Sequence, residues 1–169
     1  MQKKMKLLLN ENKKNHSLLL HFMHIPEPLK SYEQPTLILV ADGLSAKLYR
    51  AHERSCDEIE KKEEDASLGD IEHHTTKTPS GKMARMEDEH IKERARKHFF
   101  TGLAKELHMR LQRNEYERLV YIVPEQDKTF FLDLLHPEVK SHIWACVPKI
   151  LTNVDTLTIL KKIDALHSL

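Results

Sequence analysis

The chain has 169 residues, with 27 Lys and Arg against 26 Asp and Glu and a net charge of +1. That length suits one domain with an adequate apolar core, and the charge balance excludes attraction to nucleic acid or anionic membrane by the overall field, leaving only local patches. Cys56 and Cys146 fall in no metal-ligand spacing and are expected as free buried thiols in a reducing compartment.

Residues 1–34 begin basic and hold one apolar patch, Leu18 to Met23. His21 interrupts the patch and His24 and Pro26 follow it. It is too short for a membrane span, which needs about 20 apolar residues, and it lacks a cleavage site of the secretory kind. The expectation is a cytoplasmic protein with no membrane span. Residues 1–34 read as an extension, mobile or docked through one short helix holding Leu18, Leu19 and Phe22, ahead of an α/β domain over 35–169.

Within that domain, Leu37 to Val40 is an unbroken apolar run between Pro35 and Asp42-Gly43, the pattern of a strand buried on both faces. Asp42 and Gly43 tolerate positive φ in a tight hairpin, and a second strand follows through Ala46, Leu48 and Ala51. Cys56 to Glu63 reads as a third strand, at an edge, with Cys56, Glu58, Glu60 and Lys62 on one face and Asp57, Ile59 and Lys61 on the other. Residues 66–86 lose all periodicity and read as a long loop, a length that tends to be functional or disordered. From Glu87 to Asn114 the period is helical: Ile91, Ala95, Phe99, Leu103, Leu107 and Leu111 form a ridge that Phe100, Ala104 and Met109 widen. Its first turn is acidic through Glu87, Asp88 and Glu89, and Gly102 is expected to pack closely against the sheet. Leu119 to Val123 is a fourth strand, Glu125 to Leu135 a helix stopped by His136-Pro137, Ile143 to Val147 a fifth strand, and Asp155 to Leu166 a final helix capped by Asp155 or Asn153. Strand and helix alternate through this half, which predicts parallel crossovers and a mixed five-stranded sheet in the order β-β-β-α-β-α-β-α.

Leu39 to Tyr49, the long helix and Leu119 to Pro124 together resemble the bacterial family called "protein required for attachment to host cells", placed among relatives of the middle domain of peptide-chain release factors. The resemblance spans Thr36 to Leu166 and implies a ribonuclease-H-like arrangement. In release factors the loop before the long helix carries a Gly-Gly-Gln tripeptide. Here that loop reads Thr78 to Arg85 without it, so the resemblance does not extend to peptide release.

Three sets of residues could carry chemistry. Lys77, Lys82, Arg85, Lys92, Arg94, Arg96 and Lys97 gather positive charge where loop meets helix, suited to phosphate contacts with RNA or the ribosome. Against this, Glu87, Asp88, Glu89 and Glu93 are interleaved, as on a solvated helix face. Asp42 ends the central strand, where a metal-dependent nuclease of this fold would hold a carboxylate. Such catalysis needs partners from the Asp57 to Asp65 run, Asp127 or Asp133, and turn formation explains Asp42 by itself. His73, His74, His90, His98 and His108 surround the loop and long helix in no zinc-type spacing, which favours surface roles. Trp144 reads as core. With no nucleophile elbow, phosphate loop or dinucleotide fingerprint, the expectation is a non-enzymatic ribosome- or RNA-docking module without metal or cofactor. The alternatives are a protein-interaction factor acting indirectly on attachment to host cells, and a metal-dependent nuclease.

Overall fold

The computed structural model describes residues 22–64 and 81–166, with side chains over 23–64 and 90–166. Among the described residues, six strands form a single sheet: β1 (Phe22–His24), β2 (Tyr32–Ala41), β3 (Ser45–Glu53), β4 (Ser55–Glu63), β5 (Arg118–Val123) and β6 (Ile143–Pro148), in the order β1-β4-β3-β2-β5-β6. The helices are α1 (Gly81–Gln112), α2 (Glu125–Leu134), α3 (Pro137–Ser141) and α4 (Thr156–Leu166). β1 through β4 pair antiparallel, while β5 runs parallel to β2 and β6 parallel to β5, so the sheet is mixed and its second half is built from crossovers as expected.

β2 is central because both its faces are apolar. Leu37, Leu39 and Ala41 pack with Phe99, Phe100, Leu103 and Leu107 of α1, Phe131 of α2 and Val139 of α3. Ile38 and Val40 face the opposite way, towards Ile159, Leu160 and Ile163 of α4 and the segment bearing Ile25, Leu29 and Tyr32. Each such side chain, when fully buried, contributes about 1.5–3 kcal/mol of transfer free energy.

The sixth strand corrects the five-stranded expectation. Phe22, Met23 and His24 pair with Asp57, Cys56 and Ser55, in place of the short docked helix expected around Phe22; Leu18 and Leu19 lie outside the described residues. Ile25, Leu29 and Tyr32 follow into the core at 0, 9 and 7% exposure. β4 is therefore covered over its first residues.

A second correction concerns the faces of β4. Its register with β3 shifts between Leu48 and Tyr49, so that Leu48 pairs with Glu60 and Tyr49 with Glu58. Ile59 is the extra residue of a β-bulge, and the strict alternation expected from the sequence breaks there. Glu60 and Lys62 then face α1, where Lys62 ion-pairs with Glu106 and Arg110 pairs with both Glu60 and Glu106. Arg110 also donates to Glu115 at 2.8 Å.

α1 begins at Gly81, six residues before the expected start, and its first turn holds no acid. Its buried face opens at Phe99; Ile91 and Ala95 are half-buried and Met109 is 52% exposed. Gly102 is exposed, and a Cβ built there would meet nothing within 4 Å. The expected close packing at Gly102 does not exist. Asn114 ends the helix with a φ of 56°, the left-handed conformation in which asparagine serves as a helix stop. His136 and Pro137 close α2 and also start α3, with His136 Nδ1 accepting the Glu138 N–H at 3.2 Å as its cap. Asp155 caps α4 by accepting from Thr158 N at 3.0 Å and Thr158 Oγ1 at 2.7 Å. Trp144 is half-buried; it meets Tyr32 edge to face at 6.0 Å and carries the Arg118 guanidinium over its ring at 5.1 Å.

Candidate functional site

Because β2, β5 and β6 are parallel, their carboxyl ends emerge at one edge of the sheet, the place where open α/β sheets hold ligands. Three polar residues reach this edge from different connections: Asp42 just after β2, Asp127 in the first turn of α2 and Thr152 beyond β6. Arg96 joins them from α1.

Asp42 opens the β2–β3 turn, in which its N–H donates to the Ser45 carbonyl at 3.1 Å. Of the pair Asp42-Gly43, only Gly43 takes a positive φ, at +99°. Asp42 serves the turn through its side chain: Oδ1 accepts the Leu44 and Ser45 N–H groups at 3.3 and 2.9 Å, and Oδ2 accepts the Ser45 and Thr152 hydroxyls at 3.0 and 2.7 Å. Partial burial opposes the charge, but the hydrogen bonds from Thr152, Ser45 and Leu44 outweigh it and hold the carboxyl below the usual carboxylate range. With four donors on two oxygens, Asp42 has no acceptor capacity left for a metal ion.

Asp127 is in the opposite condition. Its side chain is 1% exposed, and Arg96 Nη2 approaches Oδ1 to 2.6 Å. Among the described residues, neither carboxylate oxygen nor Arg96 Nε has an aligned hydrogen-bond partner, so the attraction is between charges rather than along a directed bond. Burial lifts the Asp127 carboxyl above the usual carboxylate range, the Arg96 guanidinium draws it down by less, and the negative Asp42 adds to the rise. Arg96 reaches Asp127 by crossing Gly43, where an added Cβ would stand 2.7 and 2.8 Å from Arg96 Cγ and Cδ. Gly43 thus meets two demands, the left-handed turn and the passage of the arginine.

The structure brings together Asp42, Asp127 and Arg96 from the expected residues and adds Thr152. Asp57 lies towards the other end of the sheet, opposite Arg50, and Asp133 is exposed on α2. The basic positions divide. Lys77 lies outside the described residues, and Lys82 and Arg85 belong to the first turns of α1, with side chains outside those described. Lys92 and Arg94 are exposed, Lys97 pairs with Glu93 at 2.9 Å, and Arg96 turns inward. His98 is 80% exposed and bonds Glu64 at 3.1 Å, whereas His108 meets His136 and Glu138. Sequence reasoning missed that grouping because His136 read only as a helix stop. Cys56 is buried and free, its thiol pushed up to about 12 by burial and the adjacent Asp57; Cys146 is free and half-buried.

Residues 37–163 match the family model described as "Protein required for attachment to host cells". A search of curated proteins finds no match.

Proposed function

The chain belongs to the family of proteins required for attachment to host cells, and from that premise we propose that it is a non-enzymatic module that docks on the ribosome or structured RNA through the amino-terminal half of α1. One observation supports this reading: among the described side chains of α1, the fully buried ones begin at Phe99, and over residues 90–98 Lys92 and Arg94 are exposed. A helix that continues beyond its core packing offers basic side chains to phosphates without disturbing the fold. The non-enzymatic half of the reading draws support from Asp42, whose oxygens are saturated, and from Asp127, which is held by Arg96. No helix among the described residues is long and apolar enough to cross a membrane. We take the module to act in the cytoplasm and its sheet to follow the ribonuclease-H-like plan of the release-factor middle domain; the antiparallel β2–β3–β4 meander with β5 and β6 parallel beyond it supports that plan.

The test is co-sedimentation with ribosomes at low and moderate salt, beside a variant in which Lys82, Arg85, Lys92 and Arg94 are alanine and Arg96 is retained because it serves Asp127. The expected result is association that falls steeply with salt, with a slope shallower by about one for each phosphate that the variant no longer neutralises. Absence of sedimentation at low salt overturns the proposal. The family description favours a second reading, a protein-interaction factor with an indirect effect on attachment; a partner retained without RNA and insensitive to salt would select it.

A further inference from the structure

We propose that His108, His136 and Glu138 form a binding site for a borderline divalent transition-metal ion, zinc in the first instance. The site lies where α1 meets α3, away from the carboxyl ends of β2 and β5. One ligand atom from each of the three residues falls within 4.8 Å of the others. His108 Nε2 is 3.1 Å and His136 Nδ1 4.0 Å from the same oxygen, Glu138 Oε2. The edges of a tetrahedron around zinc are about 3.3–3.5 Å for ligand bonds of about 2.0–2.1 Å, so these separations lie close to what the ion needs.

Two features distinguish the cluster from an incidental group of surface residues. The first is its frame: α1 is anchored beside His108 by Leu107, and α3 beside Glu138 by Val139, with exposures of 1 and 0%. Packed helices hold the backbone positions that carry the ligands, leaving the rings to adjust. The second is the hydrogen bonding. His136 Nδ1 accepts the Glu138 N–H, so it carries a lone pair rather than a proton, and binding the ion exchanges that hydrogen bond for a metal–nitrogen bond; the Gln112 amide nitrogen lies 2.7 Å from Glu138 Oε2 and 3.3 Å from His108 Nε2. Gln112 therefore sits as an outer-shell group beside the carboxylate, the position from which such residues orient metal ligands. Two imidazoles and one carboxylate suit zinc, cobalt or nickel and leave one coordination position for water or a further ligand.

The rings of His108 and His136 lie face to face, with centroids 3.9 Å apart and planes 15° from parallel. Their in-plane lone pairs run side by side, so uptake of the ion turns one ring out of the stack. His136, with its side chain 50% exposed, is the ring with room to turn.

The experiment is calorimetric titration of the tag-free full chain with zinc chloride, repeated with cobalt to read the visible absorption of a tetrahedral site. Uptake of one equivalent is expected, weakened about tenfold or more in His108→Ala and in His136→Asn, and unchanged in His98→Ala. Asparagine is a good helix cap, so His136→Asn removes a ligand while preserving the start of α3. No uptake by the folded chain overturns the proposal, and so does uptake that neither cluster variant weakens or that His98→Ala weakens equally.

Discussion

Gly43→Ala tests the junction of turn, helix and buried carboxylate, and its cost divides into two parts. An alanine at φ +99° pays the left-handed penalty of about 1–2 kcal/mol. Its Cβ also meets Arg96 Cγ and Cδ at 2.7 and 2.8 Å, so the arginine has to leave its track and part from Asp127. Breaking a fully buried ion pair costs about 3–5 kcal/mol, but Arg96 is 37% exposed and remains partly solvated, which reduces this share to about 1–2 kcal/mol. The sum is about 2–4 kcal/mol in the parent chain. In an Arg96→Ala background the clash has no object, and Gly43→Ala there costs only the conformational share, about 1–2 kcal/mol. Equilibrium urea unfolding of the four proteins measures the cycle. If Gly43→Ala costs the same in both backgrounds to within about 0.5 kcal/mol, the arginine does not cross the glycine as described and Gly43 answers only to the turn.

Gly102→Ala is expected to raise stability by about 0.5–1 kcal/mol, because the new methyl group enters open space while the helix loses its most flexible interior residue; a lower urea midpoint would mean that the methyl group meets a neighbour. Asp127→Asn is expected to gain on the parent chain as pH rises from about 3 to about 7, since a carboxyl whose folded pKa is raised contributes stability below its unfolded value and loses it on titrating through the folded one. Asp42 has the opposite sign, its contribution being lost as pH falls through its lowered value. A stability difference between Asp127→Asn and parent that is flat or falling over that range would mean that Arg96 outweighs burial.

Elements with a strong local signature were legible in the sequence. Leu37 to Val40 and Leu119 to Val123 are apolar on both faces, and their burial follows directly. The parallel half could be read from alternation of strand and helix, and the α4 cap from Asp155 ahead of an apolar run. β1 was not legible, because three residues carry no periodicity and its stability comes from β4 and from the burial of Ile25, Leu29 and Tyr32 downstream. The bulge at Ile59 left no mark either. Strict alternation keeps Cys56, Glu58, Glu60 and Lys62 together, yet Cys56 is in the core on one face while Glu60 and Lys62 reach Arg110 and Glu106 on the other. Of that network, only the Glu106–Arg110 pair, four residues apart on a helix, had a local signal.

The candidate carboxylates show why residue type and strand position were insufficient to assign chemistry. Asp42 and Asp127 reach the same edge because β2 and β5 pair in parallel with Val40 opposite Ile122, a register that no local pattern displays. Once there, their surroundings separate them. Asp42 is encircled by hydroxyl and amide donors from its own turn and from Thr152, so its charged form is favoured. Asp127 is buried with a guanidinium that approaches closely but without aligned bonds, so its charge is costly. The two carboxylates therefore meet at one edge in different conditions, Asp42 with its oxygens hydrogen-bonded and Asp127 beside the Arg96 guanidinium. Arg96, expected among the phosphate-binding residues, thereby leaves the basic patch. Of the expected basic positions whose side chains are described, Lys92 and Arg94 remain exposed, while Arg96 is turned to Asp127 and Lys97 to Glu93.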